Sequence, residues 1–300
     1  MQTINSILFA TDLRADSQKA LEVVGQMAFA FGASVNVLHV IEPLRFFENA
    51  AVQHLYTHQE KERARDQLEL SRKELQERQA TVGECRILQG SVADSIVSTA
   101  SEMGADLVIL GAGAVSSHRA VGATAQAVME HSELPVMVVR STNSDFETGC
   151  VLCPVDHSRT SHRGLRTAIR LAKGMNASLV ILSVVPELSW IMAAADVGAL
   201  TDVQAEYALK WAEELEKVLD GLDFEDVSHR LVVVRGAAHE QILEAAKKNH
   251  AHLIVMGATG KSGLARVLLG STTRRVLREL PCSMLIVRQQ GLLEETTDGL

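Results

Sequence analysis

The chain has 300 residues, of which 47% are hydrophobic, 4% aromatic and 22% charged, and its formal net charge is -8. That length predicts about two domains with ample apolar material for two cores, and the acidic balance argues against a nucleic-acid binder that works by neutralising phosphates over a basic surface. The apolar runs stop short of the ~18 residues that a membrane span needs, and Met1-Gln2-Thr3-Ile4-Asn5 lacks the basic start of a secretory leader, so the expected address is the cytoplasm.

In chain order, Ser6 to Thr11 reads as a strand, Ser17 to Phe31 as a helix and Ser34 to Val40 as a second strand. A charged helix from about Gln53 to Gln79 follows, with Ala64, Leu68 and Leu75 at helical spacing on what is read as its core face. Strands are predicted near Glu84 to Leu88, Leu107 to Leu110 and Pro135 to Val139, with helices around Asp94 to Met103 and Thr124 to His131 between them. Strands that alternate with helices imply a parallel sheet. The low aromatic content places Val, Leu, Ile, Ala and Met in the cores, as in sheets covered by helices on both faces.

The polar, aperiodic stretch Ser141-Thr142-Asn143-Ser144-Asp145 is read as a linker. After it the pattern restarts. Ser6 to Val40 matches Cys150 to Val184 without a gap at an offset of 144. Further on the offset is 146, pairing Gly90 with Gly236, Ile96 with Ile242 and Gly111 with Gly257; it then becomes 148, pairing Gly122 with Gly270 and Arg140 with Arg288. The chain is therefore read as two copies of one unit, over 1–142 and 148–290, with a short acidic tail at 291–300. The charged helix of the first copy answers to a stretch carrying Ala208, Trp211, Leu215 and Leu219 in the second.

Cys150-Val151-Leu152-Cys153 has the spacing of a redox or zinc pair. It falls on a predicted strand, where residues three apart point to opposite faces and share neither a metal nor a bridge. His157 with His162, and His250 with His252, carry no metal reading: the first pair is not at i,i+4 spacing and the second flanks a buried strand. There is no Gly-x-Ser-x-Gly elbow for a nucleophile.

The stretch that carries chemistry is Leu253-Ile254-Val255-Met256-Gly257, a buried strand, followed by a glycine-rich loop and a helix from Ser271. Gly257 and Gly260 can take positive φ and let a ligand approach the backbone. Gly270-Ser271 would free amides at a helix start, where the macrodipole favours phosphate. The bland alternative is a tight turn with no ligand. Gly260-Lys261-Ser262 has the ending of a phosphate-cradling Walker loop, but its first glycine is replaced by Val255.

The spacing Gly257-x2-Gly260-x9-Gly270-Ser271 resembles the nucleotide-binding signature of the universal stress protein family. The resemblance covers both copies, although the second alone carries the full signature. It implies two tandem doubly wound α/β domains, each a five-stranded parallel sheet with about four helices. With the strands in the order 3-2-1-4-5, the ends of the first and fourth flank a crevice, the usual ligand position of open α/β sheets. By similarity, Pro154, Asp156 and Val184 would line the adenine side, Met256 and Gly257 the ribose, and Gly260, Gly270, Ser271 and Thr272 the phosphates of ATP, with or without magnesium. Lys261 and Arg274 are added because phosphate charge needs cations nearby, with surface solvation as the alternative role for each. Asp156 has an equal alternative as a cap on the helix that follows it.

The leading functional reading is a cytoplasmic stress-response protein that binds ATP in its second copy and acts as a nucleotide-dependent regulator. The alternatives are a slow ATPase or adenylate-handling enzyme, which needs a metal-binding carboxylate and a base not visible near the loop, and a ligand-free scaffold for protein partners. The first copy offers Gly111, Ala114, Gly122 and Ala123 in a loop two residues shorter, and is expected to bind nucleotide weakly or not at all. The last strands of the copies, Pro135 to Val139 and Met284 to Val287, are expected to pair antiparallel, giving a pseudo-dimer within one chain and leaving the number of chains open.

Overall fold

The structure, a computed structural model, describes residues 4–43, 50–113, 120–140, 149–186, 197–224, 226–259 and 269–288. The predicted linker, the tail, Ala114, Gly260 and Lys261 lie outside these residues. The first half runs β1 (Ser6–Ala10), α1 (Ala15–Phe31), β2 (Ser34–Ile41), α2 (Ala50–Glu77), β3 (Thr81–Gln89), α3 (Val92–Glu102), β4 (Leu107–Gly111), α4 (Ala123–His131) and β5 (Val136–Val139). The second repeats it: β6 (Cys150–Pro154), α5 (Arg159–Gly174), β7 (Ser178–Val185), α6 (Val197–Asp220), β8 (His229–Arg235), α7 (Ala238–Lys248), β9 (Ala251–Gly257), α8 (Ser271–Glu279) and β10 (Ser283–Val287).

The ten strands among the described residues form one sheet in the order β3-β2-β1-β4-β5-β10-β9-β6-β7-β8. Within each half the order is 3-2-1-4-5 and every pairing is parallel. The halves meet at β5 and β10, which run antiparallel with Met284 opposite Val138 and Ile286 opposite Val136. The expected seam is thus present. It satisfies the amides of two strands that would otherwise be apolar sheet edges.

Helices cover both faces, because successive strand residues point to opposite sides. Ile7 and Phe9 join α1, α2, α5 and α6 in one buried cluster, while Leu8 and Ala10 join α3, α4, α7 and α8 in the other. Cys153 belongs to the first cluster and Cys150 packs on the second, so the two thiols stand on opposite faces and both are free. The α2 positions Ala64, Leu68 and Leu75 are buried, as their spacing predicted. Each first helix ends at a left-handed residue, Gly32 at φ 64° and its counterpart Asn176 at φ 49°, the two residue types that tolerate such a cap. Among the described residues, no helix is long and apolar enough to cross a membrane.

Candidate functional site

In the second half the chain leaves β6 and must turn at once into α5. Ser158 caps α5 by accepting from the Ser161 amide at 3.2 Å. Asp156 holds that cap: its Oδ1 accepts from the Ser158 amide at 3.0 Å and from the Ser158 hydroxyl. The cap is thus Ser158, with Asp156 one step removed. Oδ1 is occupied by the turn, and the residue still borders the cleft beside it.

At the neighbouring strand end, Gly257 closes β9 against the first turn of α5. A Cβ there would lie 2.9 Å from the backbone carbon, Cβ and Oγ1 of Thr160. The freedom of positive φ that a glycine offers is not used at Gly257, which is not among the residues with that conformation. Glycine is needed because a helix passes too close for a side chain. The Thr160 hydroxyl donates to the Thr259 carbonyl, and Thr273 Oγ1 donates to the Gly257 carbonyl at 3.0 Å, tying strand end, loop and α8 together.

Helix α8 begins after Gly270, in extended backbone at φ -61° and ψ 157°, with no side-chain cap and no acidic residue in its first turn. Its first amides lack intrahelical acceptors. The Gly270 amide donates to the Ala258 carbonyl at 2.7 Å and closes the base of the loop.

These pieces surround a cleft of about 290 Å³. Eight of the nine residues singled out from sequence line it: Pro154, Asp156, Val184, Met256, Gly257, Gly270, Ser271 and Thr272. The ninth, Gly260, lies outside the described residues, as does Lys261. Arg274 is exposed on α8 and does not line the cleft, which agrees with its alternative role as a solvated surface cation and not with a place beside the phosphates. Sequence reading missed Ser161, Thr259 and Thr273, which add hydroxyls, and Ala238 and Ile242, which extend the apolar floor. The hydroxyls had a signal, since two follow the noted glycine and serine by two residues; the floor residues sit on α7 and are placed only by the fold.

Near the cleft, burial pushes the His162 imidazole below its ordinary value of 6.5, against the pull of Asp156, which raises it. His157 stands with its ring 4.2 Å from that of Trp211 and its Nδ1 3.5 Å from Glu214. Among the described residues no group of three His, Cys, Asp or Glu side chains is placed to hold a metal.

The first half carries a cleft at the equivalent place. The Gly122 amide donates to the Ala112 carbonyl at 2.7 Å, as Gly270 does to Ala258, so both loops close at the base in the same way. Gly113 takes the turn at φ 75°. Ala123 and Ala125 stand where the second cleft has Ser271 and Thr273. This cleft is larger, about 1000 Å³.

Comparison with known proteins follows the same division into halves. The sequence profile of the universal stress protein family matches residues 3–140 and again 149–288. A universal stress protein of Methanocaldococcus jannaschii is 32% identical over 139 residues, 46% of this chain and 81% of that one. A universal stress protein A homolog of Coxiella burnetii is 33% identical over 124 residues, 41% of this chain and 83% of its own length. The crystal structure of a universal stress protein from Archaeoglobus fulgidus superposes with a TM-score of 0.72 at 21% identity, over 96% of this chain and 99% of that one, a likeness of fold.

Proposed function

Since the chain belongs to the universal stress protein family, matched over both halves, we propose that its second cleft binds ATP and that the protein acts as a nucleotide-dependent regulator in the cytoplasm. The observation that carries this reading is the convergence of Asp156, Gly257 and the uncapped start of α8 on one cleft at the ends of β6 and β9. The donor set fits the group. Orphan amides at Ser271 to Thr273 and the hydroxyls of Ser271 and Thr272 suit phosphate oxygens, while Pro154, Val184, Ile242 and Met256 give an apolar wall for a base. A volume of about 290 Å³ is at the lower end of the range for ligand pockets, enough for the nucleoside, with the phosphates directed along α8.

Asp156 is the one carboxylate among the described lining residues, and its Oδ1 is engaged in the turn. The cleft therefore supports holding a nucleotide rather than cleaving it. Any hydrolysis is expected to stay far below the ~10 per second of ordinary enzymes.

Calorimetric titration of the full chain with ATP tests the reading. One site per chain is expected, abolished by bulky residues at Gly260 and Gly270 and indifferent to changes at Gly111 and Gly122. Two equal sites, or none, would overturn it. On this reading the copies are a first domain at 1–142 and a second at 148–290, paired as a pseudo-dimer.

A further inference from the structure

The two clefts differ in depth, and the cause lies on the long helix of each half. In the second half the buried Trp211 of α6 donates through Nε1 to Ser183 Oγ at 2.9 Å, and Ser183 donates to the Val155 carbonyl at 3.0 Å. The first half contacts the matching carbonyl, Thr11, through His39 Nδ1 at 2.9 Å. Where Trp211 stands, however, it has Ala64; each is buried and followed four residues on by a buried leucine, Leu215 and Leu68. His157, packed on the indole, is answered by Leu13. The first cleft therefore runs on to α2, whose Tyr56, Glu60, Arg63 and Gln67 line it, whereas no described α6 residue lines the second.

The chemistry of the mouth differs as well. Thr259, Ser271 and Thr273 are replaced by Gly113, Ala123 and Ala125, so three hydroxyls are absent. In their stead Arg140, the residue after β5, lines the cleft together with the start of α4, a helix with no side-chain cap and no acid in its first turn. One guanidinium nitrogen of Arg140 donates to the Leu280 carbonyl of the other half; a guanidinium has five N–H donors. The acids Glu42 and Glu60 line the cleft from the β2 and α2 side. Arg63 lines it from α2 as well, and Asp12 and Arg14 from the stretch after β1. Strands β2 and β5 are three spacings apart, roughly 14 Å, so Arg140 and the β2 side stand at opposite ends of the cleft. Between the two ends the floor is apolar, with Leu38, Val40, Ile96 and Leu110.

We propose that the first cleft is a second binding site, for an organic oxyanion, a carboxylate or phosphomonoester carried on an apolar body, rather than for a nucleoside triphosphate. Arg140 and the first amides of α4 hold the oxyanion, a pairing of guanidinium and helix start suited to one compact anionic group. The apolar body lies along the floor toward α2, in the space that Trp211 fills in the second half. The site does not depend on nucleotide binding in the second cleft.

The test titrates the full chain, with and without excess ATP, with 1-naphthyl phosphate, 1-naphthoate and uncharged 1-naphthol, followed by calorimetry. One site per chain is expected for at least one of the two anions, at least about tenfold tighter than for 1-naphthol, and unchanged by ATP; which anion binds tells phosphate from carboxylate. Ala64→Trp, which installs the filling of the second half, removes binding. Because that variant adds bulk to a core, Ala123→Glu is the companion: it puts a carboxylate on an exposed position at a helix start, where acid is stabilising, so the thermal midpoint holds while anion affinity falls at least about tenfold. Equal affinity for 1-naphthol, no binding of either anion, displacement by ATP, or an unaltered Ala123→Glu variant would each overturn the proposal.

Discussion

Two glycines at equivalent strand ends illustrate how much a single residue type conceals. Gly257 is held by Thr160, 2.9 Å from where its Cβ would be, whereas at Gly111 the nearest atom is Ser17 Oγ at 3.6 Å, ordinary contact. Gly257→Ala is expected to cost about 1–3 kcal/mol through overpacking and to weaken ATP binding by separating β9 from α5; Gly111→Ala should leave both denaturant midpoint and affinity nearly unchanged. The sequence showed that Gly257 mattered but not why, because the clash is with a residue 97 positions earlier. Trp211 was legible as core, yet its effect on cleft depth depends on comparing it with Ala64 in a different part of the chain. His162 supports a pH prediction. Its folded-state pKa is depressed below 6.5 by burial, so the unfolded chain binds the proton more readily between 6.5 and that lowered value. Stability therefore falls as pH drops through this window. Thermal midpoints of His162→Gln should show a shallower acid-side slope below pH 6.5 than the parent; an identical slope would remove His162 from the account.

Elements were the most legible level, since long apolar runs and helical stripes report burial directly. Helix α2 was expected at about 53–79 and spans Ala50–Glu77; β3 was expected near 84–88 and spans Thr81–Gln89. The β3 boundaries were blurred because it is an outer strand with mixed exposure, so its pattern is weak. What sequence did not reveal is how the seam between halves is fastened. Arg288, after β10, is buried and donates to the Met129 carbonyl in the last turn of α4, while Arg140, after β5, donates to the Leu280 carbonyl at the end of α8. Each arginine thus reaches into the other half and caps a helix end whose last carbonyls have no helical partner. Repeat alignment paired these arginines, but a lone arginine after a strand does not disclose its acceptor. Arg288→Met is expected to leave the Met129 carbonyl short of a charged donor and to cost about 1.5–3 kcal/mol. Arg140→Met, in a partly solvated position, should cost less. Urea denaturation of the two variants checks the ranking.

At the scale of the molecule, the two halves share their cores as well as a sheet. One cluster runs without interruption from Leu21 and Val24 through Met137 and Leu285 to Leu165 and Leu171, and the other spans Val128, Met284 and Val276 in the same way. Such continuity argues that a half cut from its partner presents a fully apolar strand edge. Met284, Leu285 and Ile286 are each at most 1% exposed, and all three pair with β5. An edge of that kind recruits another strand, and the strand available in matching register is a second β10 in antiparallel orientation, which closes a two-fold interface. A fragment of residues 149–288 is therefore expected to form dimers through β10, while the full chain has its β10 already paired within itself. Light scattering of the two at equal molar concentration decides it. A monomeric fragment with an intact fold would show that β10 is tolerated as a free edge and that the seam is a convenience of tethering rather than a requirement for burial.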